Sequence, residues 1–201
     1  MESFDERAAT WDDDPAKWER ARDVAAAIDA ALDLRGDERL LEYGAGTGLV
    51  TQALRAKVGP VTLADTSEGM RRVIHDKIAA GAITDATVWD VDLETTDAPD
   101  TRFDLIVTVM TLHHIDDVRA VLSRFRRLLP SAGHLCVVDL EHDEHGAFHG
   151  PDADVHHGFE RTELTEALEA AGFADIVFEV CHTIERHGGT FPVFLATATP
   201  A

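Results

Sequence analysis

The fold is decided by residues 39–51, which read RLLEYGAGTGLVT. A short apolar run leads into three glycines at alternate positions, and a second apolar run follows. This pattern predicts a buried strand, a tight turn and a helix. Glycine leaves no Cβ between the backbone and a ligand, and the helix N-terminus offers free N–H donors. The stretch therefore predicts a loop that binds a nucleotide-like cofactor.

The spacing of these glycines separates two classes of cofactor loop. Dinucleotide-binding loops follow the pattern G-x-G-x-x-G. Here Glu42 precedes Gly44, Gly46 and Gly48 in the pattern E-x-G-x-G-x-G, with Ala45 between the first two glycines. The pattern resembles motif I of class I S-adenosylmethionine (SAM)-dependent methyltransferases. The resemblance implies that these five residues bind the cofactor.

An acidic residue follows the glycines by about 20 positions, at the end of the next predicted strand. This residue is Asp65, whose two oxygens can accept hydrogen bonds from both hydroxyls of a ribose. Residues 65–70, DTSEGM, resemble the D-x-S-x-x-M segment of the same methyltransferases. The resemblance implies cofactor contacts for Thr66 and Met70, the latter by packing on adenine. Taken alone, Ser67 could be only a helix N-cap and Met70 only core filler.

Residues 86–93, ATVWDVDL, predict a third strand that ends in acidic residues. At this place the family carries an aspartate that binds the adenine amino group. The resemblance assigns that role to Asp92, followed by Leu93, and leaves Asp90 as the alternative.

Two further segments continue the resemblance. Residues 102–115 are similar to the fourth strand and the loop after it, which ends in L-H-H. This segment contains Met110, His113 and His114. Residues 128–139 are similar to the fifth strand and the turn before it. The resemblance covers roughly residues 38–140 and favours the small-molecule branch with a Methyltransf-11/UbiE-like core. It adds Met110 to the cofactor-binding residues.

The family resemblance implies an α/β fold. We expect a Rossmann-like three-layer sandwich, with a seven-stranded, mostly parallel sheet and an antiparallel C-terminal hairpin. At 201 residues the chain fits a single domain, 1–201. Within it we expect an N-terminal lid and helix at 1–35, a SAM-binding core at 38–140 and an acceptor-side loop at 141–161.

The N-terminal segment predicts a helix and a lid. Asp14 and Pro15 form an N-cap and a first helical turn, and apolar residues then recur at helical spacing. Residues 4–12, FDERAATWD, resemble the start of many SAM methyltransferases, which folds over the cofactor. The resemblance places Trp11 near the cofactor, where its ring would attract the sulfonium cation. The alternative for Trp11 is a hydrophobic staple at the helix entry.

The segment 139–161 is long, polar and rich in histidine, and it follows the carboxyl end of a predicted strand. Such loops usually carry function. The histidine spacing matches no metal-binding signature, so we expect no metal and a wall that faces the acceptor. We assign substrate contacts to His149 and His157. The five histidines of the segment are His142, His145, His149, His156 and His157.

Charge and composition limit the ligands and the cellular location that we expect. The formal net charge is −20, which disfavours binding to nucleic acid. It favours a salt-adapted or solubility-driven surface, and the alternative is a field that attracts cationic partners. No apolar run is long enough to span a bilayer, and the N-terminus is acidic where a signal peptide is basic. We therefore expect a cytoplasmic protein without membrane contact. Cys136 and Cys181 fall in predicted strands, where they fit small buried hydrophobes.

These observations predict a methyltransferase that uses SAM to methylate a small-molecule acceptor. His113 or His114 is the candidate general base, because imidazole titrates near neutral pH. A structural role for this histidine pair is the alternative. Two other functions stay open: a SAM-binding sensor or subunit without catalysis, and an NAD(P)-dependent oxidoreductase. The glycine spacing opposes the oxidoreductase, as does the lack of a Tyr-Lys pair, because Tyr43 in motif I is the only tyrosine.

Overall fold

A computed structural model describes residues 3–150, 153 and 155–201 of the chain. The chain forms two compact units, residues 1–92 and 93–201. The predicted acceptor-side loop, 141–161, contains three positions outside the described residues: 151, 152 and 154. Positions 1 and 2 of the predicted lid also lie outside them.

The described part of the first unit contains three short parallel strands and four α-helices. Two stretches of 3-10 helix lie at Ala8–Asp13 and Arg55–Lys57. The strands are β1 (Leu40–Tyr43), β2 (Val61–Ala64) and β3 (Ala86–Trp89). The helices are α1 (Phe4–Arg7), α2 (Pro15–Leu32), α3 (Leu49–Leu54) and α4 (Glu68–Ala79).

Helix α2 begins where the sequence predicts. The Asp14 side chain accepts a hydrogen bond from the Ala16 backbone N–H at 3.0 Å, and Pro15 occupies the first turn. Because these two residues satisfy and pre-order the first turn, they fix the start of the helix. Its buried face carries Ala21, Val24, Ala25 and Ile28.

Strand β3 is shorter than the predicted strand 86–93. Its last partner pair in the ladder with β2 is Ala64↔Trp89. Beyond it, Asp90 is exposed and forms an ion pair with the Arg71 guanidinium at 2.9 Å. The strand ends there because β2 also ends, so the following acidic residues have no partner in this ladder.

The described part of the second unit combines parallel and antiparallel pairing. Strands β4 (Leu105–Val109) and β5 (His134–Leu140) are parallel. Strands β6 (Phe173–Arg186) and β7 (Gly189–Pro200) form an antiparallel hairpin, and β7 also pairs antiparallel with β5. The remaining elements are α5 (Val118–Leu128), α6 (Arg161–Ala170) and a 3-10 turn at Leu112–His114.

The C-terminal hairpin is longer than the predicted strands 173–180 and 190–198. The ladder continues to Arg186↔Gly189, and the two residues between them, His187 and Gly188, both have positive φ, 53° and 77°. Two positive φ values are typical of the tight turns that match strand twist in hairpins. Both cysteines are free and lie in strands, as expected. Cys136 is buried, which raises the pKa of its thiol, whereas Cys181 is only half-buried, so the expected burial holds for Cys136 alone.

The seven strands form one sheet in the order β3-β2-β1-β4-β5-β7-β6. Parallel strands and an antiparallel C-terminal hairpin confirm the predicted fold class. None of the helices in the described chain is long and apolar enough to cross a membrane. The single-domain assignment stays a prediction.

Two glycines of motif I have different surroundings. Gly48 caps α3 with a φ of +79°, and a Cβ there would lie 2.8 Å from a Leu63 methyl and 3.0 Å from an Ile83 methyl. Gly46 has a φ of +55°, and among the described residues its Cβ would meet Trp11 Nε1, at 3.9 Å. Gly48 therefore permits close packing of turn and sheet, whereas a Cβ at Gly46 would make only an ordinary van der Waals contact with Trp11.

We predict that Gly48→Ala costs more stability than Gly46→Ala. Both changes place a Cβ in the left-handed region, at about 1–2 kcal/mol each. Only Gly48→Ala also overpacks the core, so we expect a total loss of about 2–4 kcal/mol. Urea unfolding of the two variants beside the wild type measures the difference. Equal losses would contradict the packing role of Gly48.

Candidate functional site

The glycine turn is tied to the end of β2 by the carboxylate of Asp65. One oxygen accepts a hydrogen bond from the Gly46 N–H at 2.7 Å, and the other accepts from the Ser67 N–H at 2.8 Å. Partial burial raises the pKa of Asp65, and these two bonds partly oppose the rise. A carboxylate offers about four lone-pair positions, so each oxygen can accept a further hydrogen bond. The group thus fits a ligand with two neighbouring hydroxyls.

Glu42 lies beneath the turn and is only 3% exposed. Its carboxylate accepts hydrogen bonds from the side-chain hydroxyl of Thr51, at 2.5 Å, and from the Thr51 backbone N–H, at 3.0 Å. Burial raises the pKa of Glu42 to about 7, although the bonds from Thr51 act in the opposite direction. In this position Glu42 links β1 to the first turn of α3.

Trp11 lies above the turn, with Nε1 3.9 Å from the place a Cβ would take at Gly46. Its ring already faces two cations of the chain: the Lys17 ammonium at 3.8 Å from the ring centroid and the Arg7 guanidinium at 5.2 Å. Phe4 contacts the same ring, with centroids 6.0 Å apart. The structure therefore brings Trp11 to the glycine turn, and its π-face is shared with these side chains.

The other predicted cofactor residues vary in exposure. Met70 and Leu93 are each 1% exposed, whereas Thr66 is exposed and Asp92 half-buried. Ser67 is the N-cap of α4, since its hydroxyl accepts a hydrogen bond from the Met70 N–H at 3.1 Å. The expected N-cap is thus present, and the adenine contacts of Met70 and Asp92 stay predictions.

Three side chains at this site were missed from the sequence. Asp5 accepts hydrogen bonds from the Ser67 hydroxyl and the Gly69 N–H, and Asp12 and Lys77 both bind Thr47 of the turn. Asp5 and Asp12 lie in the quoted segment 4–12, so the motif itself was the available signal. Lys77 lies in α4, where its sequence context resembles any solvated helical lysine.

The second unit contains a buried His–Asp pair. His113 Nδ1 lies 2.6 Å from an Asp139 carboxylate oxygen, and the two side chains are 1% and 0% exposed. The carboxylate also accepts hydrogen bonds from the His113 and Leu140 backbone N–H groups. These contacts fix the orientation of the His113 ring. The next residue, His114, is exposed, and its ring centroid lies 4.1 Å from that of His113.

His149 joins this pair of imidazoles. Its ring centroid lies 4.8 Å from that of His113 and 5.7 Å from that of His114, and Phe148 packs against its other side. Burial lowers the pKa of His149 to about 4, so the ring is neutral at pH 7. Its Nε2 is buried and makes no hydrogen bond in the described structure. A ligand hydroxyl or amine could satisfy this atom.

His157 and Met110 also lie in the second unit. His157 packs on Gly146, and its buried Nδ1 has no hydrogen-bond partner within the described residues. Met110 follows β4 with a φ of 53°, a strained conformation for a non-glycine residue.

Across the described ranges, no group of three or more His, Cys, Asp or Glu side chains is arranged to hold a metal ion.

The strand order defines an α/β protein, and the glycine turn and the Asp65 carboxylate lie at the ends of its strands, where such folds bind ligands. The chain belongs to a methyltransferase family: residues 16–177 match the family model described as a methyltransferase domain. This membership confirms the predicted family, class I SAM-dependent methyltransferases, whose cofactor is SAM.

Curated and structural relatives agree with this membership. The chain is 31% identical to the biotin biosynthesis bifunctional protein BioCD of Bordetella avium over 148 residues, which are 73% of this chain and 31% of that protein. It is also 33% identical to an uncharacterized methyltransferase of Mycobacterium bovis over 114 residues, which are 56% of this chain and 55% of that protein. The chain thus spans only part of the curated relatives that it matches.

Two solved structures share the fold. One is a Haloferax volcanii methyltransferase in complex with the Trm112 methyltransferase activator, with a TM-score of 0.78, 18% identity and coverage of 100% of this chain and 98% of that one. The other is the Burkholderia thailandensis 1,6-didemethyltoxoflavin-N1-methyltransferase with its substrate and S-adenosylhomocysteine bound. It has a TM-score of 0.72, 22% identity and coverage of 96% and 84%.

We predict that Glu42 makes the protein less stable as the pH rises. Its native pKa of about 7 lies above the ordinary 4.5, so between these values the native state binds the extra proton. The free energy of unfolding therefore falls across this window, by on the order of 3 kcal/mol. Glu42→Gln, which cannot ionise, removes this slope.

Urea unfolding of the wild type and Glu42→Gln between pH 4.5 and 7.5 checks this. His149 acts in the opposite sense over about pH 4–6.5, because its native pKa is lowered, and subtracting the two curves removes its effect. The exposed Glu19→Gln on α2 is the control. Parallel curves for the wild type and Glu42→Gln would contradict the prediction.

Proposed function

We propose that this protein is a SAM-dependent methyltransferase that methylates a small-molecule acceptor. The proposal rests on the Asp65 carboxylate, which accepts a hydrogen bond from the glycine turn. Each of its two oxygens can accept a further hydrogen bond from a ligand. Membership of the methyltransferase family supports the same conclusion.

The residues of the first unit fit the cofactor. Asp65 would accept hydrogen bonds from the ribose hydroxyls, and the glycine turn, which lacks side chains at Gly44, Gly46 and Gly48, would let the rest of the molecule approach the backbone. The further cofactor contacts that we propose are those named from the resemblance: Glu42, Gly44, Ala45, Gly48, Thr66, Met70, Asp92, Leu93 and Met110. When bound, SAM supplies a methyl group on a positively charged sulfur, already activated for transfer to a nucleophile. The protein's main contribution is then alignment of the reacting groups and exclusion of water.

Of the two candidate bases, we favour His114. It is exposed, so an acceptor could reach it, whereas His113 is 1% exposed. His113 is held by Asp139 and packs against His114, which makes it a positioning residue. In this scheme His114 accepts the proton that the acceptor loses as its oxygen, nitrogen or other nucleophilic atom gains the methyl group.

The acceptor is proposed to be a small molecule that contacts His149 and His157. Both rings carry a buried nitrogen without a hydrogen-bond partner in the described chain, and His149 is neutral at pH 7. A net charge of −20 disfavours nucleic acid as acceptor. A small-molecule methyltransferase of the same fold supports the assignment. We propose no metal in the reaction and a cytoplasmic location.

One other function keeps the same cofactor site. A non-catalytic SAM sensor or subunit would bind SAM through Asp65 without transferring the methyl group. Membership of the methyltransferase family argues against the alternative function of an NAD(P)-dependent oxidoreductase.

We predict that SAM and S-adenosylhomocysteine raise the melting temperature, because they bind the native state, whereas NAD and NADP leave it unchanged. Asp65→Ala should weaken SAM binding by about 1.5–3 kcal/mol, since a charged hydrogen-bond acceptor is lost. The exposed Asp76→Ala on α4 is the control. Calorimetry and thermal shift measure both effects. Stabilisation by NADH with no effect of SAM would refute the proposed function.

We predict that His114→Ala lowers turnover by about 10²–10⁴-fold while SAM affinity stays nearly unchanged. Asp139→Ala should instead lower stability by about 3 kcal/mol or more, because buried donors of His113 and Leu140 lose their acceptor. Turnover assays and urea unfolding separate these effects, with the exposed His75→Ala as control. Normal turnover in His114→Ala would show that His114 is not the base.

A further inference from the structure

Thr47, the residue between the last two glycines of the turn, is held from two sides. Its side-chain hydroxyl donates a hydrogen bond to an Asp12 carboxylate oxygen at 2.5 Å. Its backbone carbonyl accepts a hydrogen bond from the Lys77 ammonium at 2.8 Å. Thr47 itself is 1% exposed. The centre of the glycine turn is therefore bound to two charged side chains from distant parts of the sequence.

These two side chains also bind each other. The Lys77 ammonium lies 2.6 Å from the second Asp12 oxygen, and it donates a further hydrogen bond to the Gln52 side chain at 2.8 Å. All three ammonium hydrogens thus have acceptors. The Lys77 and Asp12 side chains are 14% and 27% exposed, so salt screens this ion pair less than a surface pair. Asp12, Thr47 and Lys77 form a closed ring of polar contacts.

The ring anchors one end of the segment that lies over the turn. Asp12 directly follows Trp11, whose indole lies above Gly46. The other end is anchored by Asp5, which accepts hydrogen bonds from the Ser67 hydroxyl at 2.5 Å and the Gly69 N–H at 2.7 Å. The segment 4–12 is therefore tied at one end to the turn and at the other end to the residues that follow Asp65.

Lys57, in the same unit, also forms an ion pair with an aspartate and is compared with Lys77 for this reason. Lys57 forms an ion pair with Asp29 at 2.8 Å, with its side chain 52% exposed. In the described part of the chain, this ion pair involves no residue of the glycine turn. Lys57 and Lys77 are thus matched in residue type and partner type, and they differ in the contact to Thr47.

We propose that Lys77 and Asp12 are positioning residues for the cofactor. They fix the backbone of Thr47 and close segment 4–12 over the glycine turn, so that cofactor binding and closure of the segment stabilise each other. The inference rests on the proposed function, because the ligand in question is SAM.

The test measures SAM dissociation constants by calorimetry for a matched set of variants. Lys77→Met and Asp12→Asn should each raise the constant at least tenfold, and the double variant should be no worse than about the more severe single variant. Thr47→Val, which loses the hydroxyl, should raise the constant about fivefold or more, whereas Thr47→Ser should stay within about twofold of the wild type. Lys57→Met is the control and should also stay within about twofold.

Limited chymotrypsin digestion gives a second, structural readout. In the wild type, SAM should slow cleavage after Trp11 at least tenfold, because closure shields the segment. In Lys77→Met this protection should be lost, while Lys57→Met keeps it.

The outcomes are distinct. Wild-type SAM affinity in Asp12→Asn, Lys77→Met and Thr47→Val, with only their unfolding midpoints lowered, would overturn the inference and leave the proposed function intact. Equal weakening by Lys57→Met and Lys77→Met would overturn it too. If Lys77→Met does not fold, Asp12→Asn and the Thr47 pair decide the question. A wild type that binds no SAM would refute the proposed function and this inference with it.

Discussion

The hydrogen bond from the Gly46 N–H to the Asp65 carboxylate is the contact on which the first unit depends. It joins the turn after β1 to the end of β2, and the parallel pairing of these strands brings its two groups together. The turn can approach Asp65 this closely because Gly46 adopts a positive φ without penalty. Moving either strand end would remove the anchor of the turn and also the acceptor that we propose for the ribose.

Three charges around the turn are balanced against one another. Glu42 is buried beneath it, and the nearby charge of Asp65 adds to the rise in its pKa, while the charge of Lys77 opposes it. A protonated Glu42 avoids like-charge repulsion with Asp65. Lys77 is thus both the partner of Asp12 and a counter-charge for this acidic group. In a chain whose formal net charge is −20, this positive charge offsets part of the negative charge around the turn.

Much of the fold could be predicted from the sequence, because its signals are local. The three glycines, the Asp14-Pro15 start of α2 and the alternating glycine spacing each act within a few residues. The lengths of β3 and of the C-terminal hairpin could not be predicted as well. β3 ends because its neighbour ends, and β6 and β7 extend because a tight turn at His187 and Gly188 lets pairing continue. The first limit is set by a strand distant in sequence, whereas the second is set by a local turn.

The candidate functional residues of each unit show the same division. Asp65 and the glycines follow from a motif, but the Lys77–Thr47 and His113–Asp139 contacts join residues 30 and 26 positions apart. No periodicity marks such pairs, since each depends on how whole elements pack. The sequence alone named both histidines of the L-H-H turn, and their difference in exposure became visible only in the structure.

The central claim is that the chain transfers a methyl group, and one measurement tests it most directly. Purified protein is incubated with SAM carrying a labelled methyl group and a fractionated metabolite extract, and labelled products are sought by mass spectrometry. The account predicts label in a specific small molecule with the wild type, and none with Asp65→Ala. SAM binding without label in any product would contradict the account and favour a sensor.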